Sequence, residues 1–272
     1  MTFRARILDF MNWAAETAWR VLPEKARTGR LGEGLGLLRL PKRRVRMWGQ
    51  GFARELYREF TSAHPRFKVI PFKALGVALL EMPDSYETYS AGPRRQNLRT
   101  YRRKAEKAGY RPLVGVDLLA RLDEVMAIHR SVEARQGRPI DPHYLDEAAV
   151  RAFLEGASSD HARAYGVEDG EGRLMAYLGV NLVGEGWFTD RIMGHGEALS
   201  HGVMYMLMAE AVKDMIELKQ RTGFPRFGMY DTYFGGGDGL RAYKHNFGFE
   251  PCLVEWQWLD EAPRPEGIPH DR

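Results

Sequence analysis

Arg226-Phe-Gly-Met-Tyr-Asp-Thr-Tyr233, running on through Gly235-Gly-Gly-Asp-Gly-Leu-Arg-Ala-Tyr-Lys-His-Asn-Phe-Gly248 to Phe249-Glu-Pro-Cys-Leu-Val-Glu-Trp-Gln-Trp258, is the stretch whose reading decides the fold. Phe227 to Asp231 is a short apolar run ending in a carboxylate, which predicts a strand. The glycines from Gly235 to Gly239 interrupt the pattern as a loop. Leu240, Tyr243, Lys244 and Phe247 then recur at helical spacing, and Val254, Trp256 and Trp258 alternate onto one face of another strand. This order brings a carboxylate, a lysine and a helix start together at one end of a sheet.

Upstream, the same periodicities predict strands over Lys68 to Phe72, Val77 to Met82, Tyr110 to Val116, Ala162 to Val167, Leu174 to Val183 and Trp187 to Met193, with a last strand from Leu253 to Leu259. Helices are expected over Arg54 to Ser62, Arg94 to Lys107, Ala120 to Gln136, Glu147 to Ala157, His201 to Lys219 and Leu240 to Asn246. Glu168-Asp-Gly-Glu-Gly172 and Gly184-Glu-Gly186 read as hairpin turns. Antiparallel hairpins followed by helix-joined strands predict an α+β fold, a mixed and mostly antiparallel sheet with helices on both faces.

The long helix from Val203, the strand ending at Asp231 and the segment Gly239-Leu-Arg-Ala-Tyr-Lys-His-Asn-Phe-Gly248 follow in the order that marks the GNAT acyltransferase superfamily, and the segment resembles the signature helix of its Fem-like branch. Ser85-Tyr-Glu-Thr-Tyr89 and the basic stretch Arg94 to Tyr110 resemble the start of that branch's domain, so the likeness covers roughly Met82 to Leu259. It implies amide formation by direct attack of an amine on an activated acyl group, with the donor's arm in a split between two strands and its phosphates at the start of the next helix. In this chain those positions are the strand Trp187 to Met193 and the helix start at His201-Gly202. The usual acetyl-CoA loop, (Arg/Gln)-x-x-Gly-x-(Gly/Ala), is absent; Gly194-His-Gly-Glu-Ala-Leu-Ser-His-Gly202 stands in its place.

An amine nucleophile must lose a proton and the leaving group must gain one. Asp231 is the first candidate for orienting or deprotonating the amine, set against a role in capping the glycine turn. Lys244 is a candidate for stabilising an oxyanion or binding phosphate, set against an exposed helix lysine. Asp190 and Arg191 interrupt an apolar strand and face either a cleft or a sheet edge. Tyr230, Tyr233 and Tyr243 are candidates for protonating the leaving group, set against an aromatic core. Arg95, Arg99, Arg102 and Arg103 fall on neighbouring turns of one helix, a row suited to phosphate contacts or to a solvated face.

Composition sets the outer limits. The chain has 272 residues, 44% of them hydrophobic, enough for a substantial core. Its one cysteine, Cys252, cannot form an internal disulfide and reads as a small core residue. The methionines at 204, 206, 208 and 215 likewise read as core, on a helix too apolar to be exposed. No apolar run approaches the ~20 residues of a membrane span, and Ile7, Phe10, Met11, Ala14 and Ala18 describe an amphipathic helix rather than a leader. Residues 1 to 50 carry 11 Lys or Arg against four acids, whereas the whole chain is only +4. No metal is expected: His195, Glu197 and His201 lack the spacing of a zinc helix. Gly235 to Gly239 lacks the Gly-Lys-(Ser/Thr) of a nucleotide loop.

The division this predicts is a basic N-terminal region over 1–75, readable as a reduced first lobe or a separate arm, an acyltransferase domain over 76–262, and a loose tail over 263–272. The expected function is N-acyl transfer from acyl-CoA to a small-molecule or peptide amine in the cytoplasm. An aminoacyl-tRNA donor and a non-catalytic, anion-binding domain are the alternatives.

Overall fold

The computed structural model describes residues 39–64, 68, 71–135, 138–156, 160–234 and 237–263. The amphipathic segment Ile7 to Ala18, Gly235 and Gly236 of the glycine loop, and the tail beyond Pro263 lie outside the described residues.

Eight strands form one sheet: β1 (Lys42–Met47), β2 (Leu75–Glu81), β3 (Arg111–Val114), β6 (Ala162–Glu168), β7 (Leu174–Val183), β8 (Gly186–Gly194), β9 (Phe227–Thr232) and β10 (Glu250–Trp258), in the order β1-β10-β2-β9-β8-β7-β6-β3. Two pairs, β1 with β10 and β8 with β9, are parallel, and the other neighbours run antiparallel. Strands β4 (Ala134–Arg135) and β5 (Arg138–Pro139) make a separate small hairpin. The α+β expectation, with a mostly antiparallel sheet, holds.

Helices cover both faces. On one, α2 (Tyr86–Ser90), α3 (Gln96–Lys107), α7 (Val203–Thr222) and α8 (Asp238–Phe247) bury Tyr89, Leu98, Met206, Leu207, Met215 and Phe247 against Leu178, Val180, Trp187 and Ile192 of the sheet. On the other, α1 (Phe52–Thr61) buries Phe60 against Phe188 and Trp256, while α4 (Leu122–Arg130) and α5 (Glu147–Gly156) bury Met126, Ile128 and Leu154 against Tyr177 and Met193. A one-turn helix, α6 (Gly196–Leu199), precedes α7. The buried methionines of α7 and the buried Cys252 are core residues, and burial pushes the Cys252 thiol up to about 11, far from a nucleophile's range.

Residues 42–47, read from sequence as part of the basic region, are built into this sheet, and α1 packs on it: β1 pairs in register with β10 from Lys42↔Leu253 to Met47↔Trp258. Basic residues alternate there with buried Val45 and Met47, a strand pattern that the charge count conceals. Glu185, in the turn between β7 and β8, fastens β1 by accepting from Arg46 N at 2.7 Å and Arg46 Nε at 2.9 Å. The strand expected over Lys68 to Phe72 is not formed among the described residues. Only an isolated Ala63↔Pro71 bridge occurs, followed by a turn over 72–74, because proline has no N–H for a ladder. The helix expected to reach Gln136 ends at Arg130, where the Ser131 hydroxyl caps the Ile128 carbonyl at 2.6 Å.

Candidate active site

The parallel strands β8 and β9 pair only at Gly186↔Phe227, Trp187↔Gly228 and Phe188↔Met229. The closed end depends on Gly228, where any Cβ would overlap the Trp187 indole. A last tie runs from Thr189 Oγ1 to the Met229 carbonyl at 3.1 Å. Beyond it the register between β7 and β8 shifts, Gly179 facing Arg191 and Val180 facing Thr189, so Asp190 is an extra residue in β8. Such a bulge bends its strand and leaves backbone groups unpaired. The result is a split that opens at Asp190 on one side and at Tyr230-Asp231-Thr232 on the other.

Asp231 has φ +47, the one positive φ outside glycine among the described residues. The left-handed region costs an L-residue about 1–2 kcal/mol, and such strain gathers at functional sites. Its exposed carboxylate is ion-paired with Lys73, whose own backbone carbonyl accepts the Trp256 indole N–H. Lys244 lies behind the strand end. It is only 1% exposed, its Nζ donates to the Thr232 carbonyl at 2.6 Å and sits 4.8 Å from the centre of the Tyr230 ring. Burial brings its pKa down to about 8, with the charge of Asp231 opposing that shift. The exposed-lysine reading is therefore replaced by a buried amine at the mouth of the split. Tyr243 is fully committed: its hydroxyl donates to the Met204 carbonyl at 2.8 Å and burial raises its pKa well above the ordinary value.

Asp190 opens onto a cavity of about 500 Å³ between α5 and the sheet, lined by Leu118, Leu119, Phe153, Tyr177, Gly179 and Asn181. Its pKa is raised chiefly by desolvation, against the opposing charge of Arg191 and a hydrogen bond with Asn181; Glu59 of α1 also contributes repulsion. The next residue, Arg191, is 9% exposed. Its guanidinium is 3.6 Å from the centre of the Phe153 ring and 4.7 Å from that of Tyr144. Nearby, His129 is buried with Nε2 against the Tyr177 hydroxyl at 2.6 Å and Nδ1 against the Tyr144 carbonyl at 2.7 Å, which fixes both rings of that wall.

The segment from Gly194 to Gly202 is folded back on the protein. Gly196 N donates to the Ser131 hydroxyl at 2.9 Å, and His195 N to the Met175 carbonyl at 2.7 Å. Gly202 caps α7 with φ +87, where a Cβ would overlap the Tyr101 carbonyl oxygen of α3. The His201 ring lies 5.9 Å from Tyr110. On α3, Arg99 Nη1 donates to the carbonyls of Ser90 and, at 2.9 Å, Gly92, while Arg102 bonds the Tyr86 hydroxyl at 2.8 Å and reaches Glu106 and Glu210. Arg95 reaches the Asn246 carbonyl of α8 at 3.4 Å. Arg103 is exposed. The structure thus brings Asp231 and Lys244 together with Lys73 at the end of β9, and Asp190 together with Arg191 at the bulge of β8, and places Arg99 and Arg102 in contacts that hold α2, α3 and α7 together.

The acetyltransferase (GNAT) domain family matches residues 92–245, more than half of the chain. The chain belongs to this family. Among solved structures, the GNAT chain is similar to "L-PGS from Bacillus licheniformis" at 15% identity over 64% of this chain and 56% of that one, with a TM-score of 0.43. It is also similar to "FemX" at 12% identity over 65% and 59%, TM-score 0.45. A protein of unknown function from Bacteroides thetaiotaomicron matches at 13% identity over 64% and 55%, TM-score 0.45. The chain spans little more than half the length of these structures. No curated protein matches the sequence.

Several residues of this GNAT site escape sequence reading. Lys73, Asn181, Glu59, Tyr144 and Phe153 come from five separate segments, and nothing in their local spacing joins them to Asp190 or Asp231. Gly179 carried a faint signal, since a glycine inside a predicted strand marks a bulge or a close approach. Among the described residues no group of three His, Cys, Asp or Glu is placed to hold a metal ion, and no helix is long and apolar enough to cross a membrane.

Proposed function

We propose that the protein is an N-acyltransferase that joins an amine to the acyl group of an acyl-CoA. The observation that supports this most directly is the splay of β8 from β9 beyond Phe188↔Met229. It leaves an unpaired strand edge against which an extended, amide-bearing arm can bond like an added strand. Carboxylates at both lips supply what the amine needs. The nitrogen attacks the thioester carbonyl carbon, a C–N bond forms, the C–S bond breaks, the nitrogen gives up its proton and the thiolate takes one. Asp190, at the bulge and bordering the cavity, takes the proton, and Asp231 orients the amine or the Lys73 ammonium. Tyr233, half-buried beside the split, is the phenol available to the thiolate, because the Tyr243 hydroxyl is committed to Met204. The working unit in this proposal is 76–262 together with β1 and α1, in the cytoplasm.

An aminoacyl-tRNA donor is a second reading, favoured by the Gly194–Gly202 segment. Its backbone is committed to Ser131 and Met175 and abuts Tyr101, which leaves a poor cradle for a pyrophosphate. Calorimetric titration with acetyl-CoA and then a longer acyl-CoA tests the first reading: saturable one-to-one binding supports it, and no heat from either in folded protein removes it. Charged tRNA is then the ligand to titrate, and its affinity should fall on the order of 10³-fold between 50 and 200 mM salt.

A further inference from the structure

Arg191 is a buried guanidinium without an acid bonded to it. Among the described residues no carboxylate lies within ion-pair distance, and its Nη1 is buried with no hydrogen-bond partner. Stacking on Phe153 and Tyr144 offsets only part of the cost of burying an unpaired charge. A buried donor left open in this way is satisfied by a bound water or by an anion from outside the chain.

The bulge decides where that anion must lie. Phe188 packs with Phe60 and Trp256, and Met193 packs with Tyr177 and Met126, on the same face of the sheet although their numbers differ by five. The side-chain alternation is reset between Asp190 and Arg191, so these consecutive residues share one face and carry opposite charges there. They form no ion pair within 4 Å, although the Arg191 charge holds the Asp190 pKa down from where burial alone would put it, and Asn181 also bonds the Asp190 carboxyl. Across from them Gly179 leaves the floor open, since a Cβ there would approach only the Arg191 carbonyl oxygen, at 4.0 Å. The cavity beyond is walled by Leu118, Leu119 and Phe153, with Asp117 and the Asp214-paired Arg163 also in its lining.

We propose that the acceptor is an α-amino acid with an apolar side chain, its ammonium group on Asp190 and Asn181, its carboxylate on Arg191 and its side chain in the cavity beneath α5. Two opposite charges held apart over a side-chain-free floor match an ammonium and a carboxylate on one carbon, and the apolar wall matches the side chain. The inference rests on the acyl-transfer reading. After Asp190 takes one proton from the ammonium, the free amine attacks the thioester carbonyl carbon and a C–N bond forms; the C–S bond breaks, the nitrogen gives up a second proton, the departing thiolate takes one, and the products are an N-acyl amino acid and a free thiol.

The test is calorimetric titration of the full chain with L-leucine and L-phenylalanine, and with isoamylamine and phenethylamine, which lack only the carboxylate. Both amino acids should bind saturably and at least about 10-fold more tightly than the matching amines, the ratio expected for one charge-assisted bond. Arg191→Lys should weaken amino-acid binding about 10-fold and leave the amines unchanged, while Asp190→Asn should weaken all four. Equal binding of amino acids and amines, or saturable binding of none of the four, overturns the inference. The wild-type comparison decides even where a variant fails to fold. Acyl-CoA is titrated separately: acyl-CoA binding without amino-acid binding removes this inference alone, and the reverse removes the donor assignment alone.

Discussion

Asp190 and Asp231 each lie two residues past the Phe188↔Met229 rung at which their strands last pair. Each reaches that place through a backbone irregularity, a bulge in β8 and a positive φ in β9. Regular strands would have carried the ladder through both positions, so the opening and the two carboxylates have one structural origin.

Asp231 therefore separates stability from turnover. Asp231→Gly removes left-handed strain of about 1 kcal/mol and forfeits an exposed ion pair with Lys73 of about 0–1 kcal/mol, so the unfolding free energy should change by under about 1 kcal/mol. Acyl transfer should fall on the order of 10²-fold or more. Denaturant titration beside a turnover assay checks both; unaltered turnover would remove Asp231 from the site.

Lys244 gives a pH signature. Its folded pKa of about 8 lies below the ordinary 10.5. Below pH 8 the amine is charged in both folded and unfolded states, and the cost of burying it is present in full. Between pH 8 and 10.5 the folded protein gives up the proton while the unfolded chain keeps it, so stability rises with pH across that window. Relative to Lys244→Met, the wild type should gain on the order of 3 kcal/mol between those limits. Unfolding curves at pH 7, 8, 9 and 10 measure it, and parallel pH dependence in the two proteins would contradict a buried, depressed amine.

Much of this was legible in the sequence, and the parts that were not have physical causes. The strand ending at Asp231, the helix carrying Lys244 and the turn at Gly184-Glu185-Gly186 follow from periodicity and glycine placement. The burial of Lys244 does not, because a lysine on an amphipathic helix reads the same whether its amine reaches water or a carbonyl. The arginines of α3 look like a phosphate-binding row in one dimension. In three, Arg99 closes on Ser90 and Gly92, and Arg102 on Tyr86, carbonyl and hydroxyl partners that no charge pattern reveals. Strand β1 was hidden by its own charge, since the basic residues of this outer strand, Lys42, Arg43, Arg44 and Arg46, outnumber the two buried residues that define it.

That contrast within α3 is itself testable. Arg99→Ala leaves the carbonyls of Ser90 and Gly92 without their donor and should cost about 1–3 kcal/mol. Arg103→Ala, on the exposed side of the same helix, should stay within about 0.5 kcal/mol of wild type. If an anionic donor uses this helix, Arg103→Ala and not Arg99→Ala should raise its KM at unchanged kcat. Thermal unfolding and initial rates on the two variants distinguish a structural from a binding arginine.

Gly202 and Gly239 make the matching comparison for glycine. Gly202 has φ +87 and sits where a Cβ would overlap the Tyr101 carbonyl, a backbone atom that cannot swing aside. Gly202→Ala should cost about 2–4 kcal/mol, combining left-handed strain of about 1 kcal/mol with overpacking of about 1–3 kcal/mol. Gly239, in the first turn of α8, has nothing within 4 Å of an added Cβ and needs no positive φ. Gly239→Ala should stabilise by about 0.4–1 kcal/mol, because it restricts the unfolded chain at no native cost. Chemical denaturation of both variants checks the pair. A neutral Gly202→Ala would mean that α3 and the start of α7 are not locked together, and the segment before α7 would again be free to receive the phosphates of a donor.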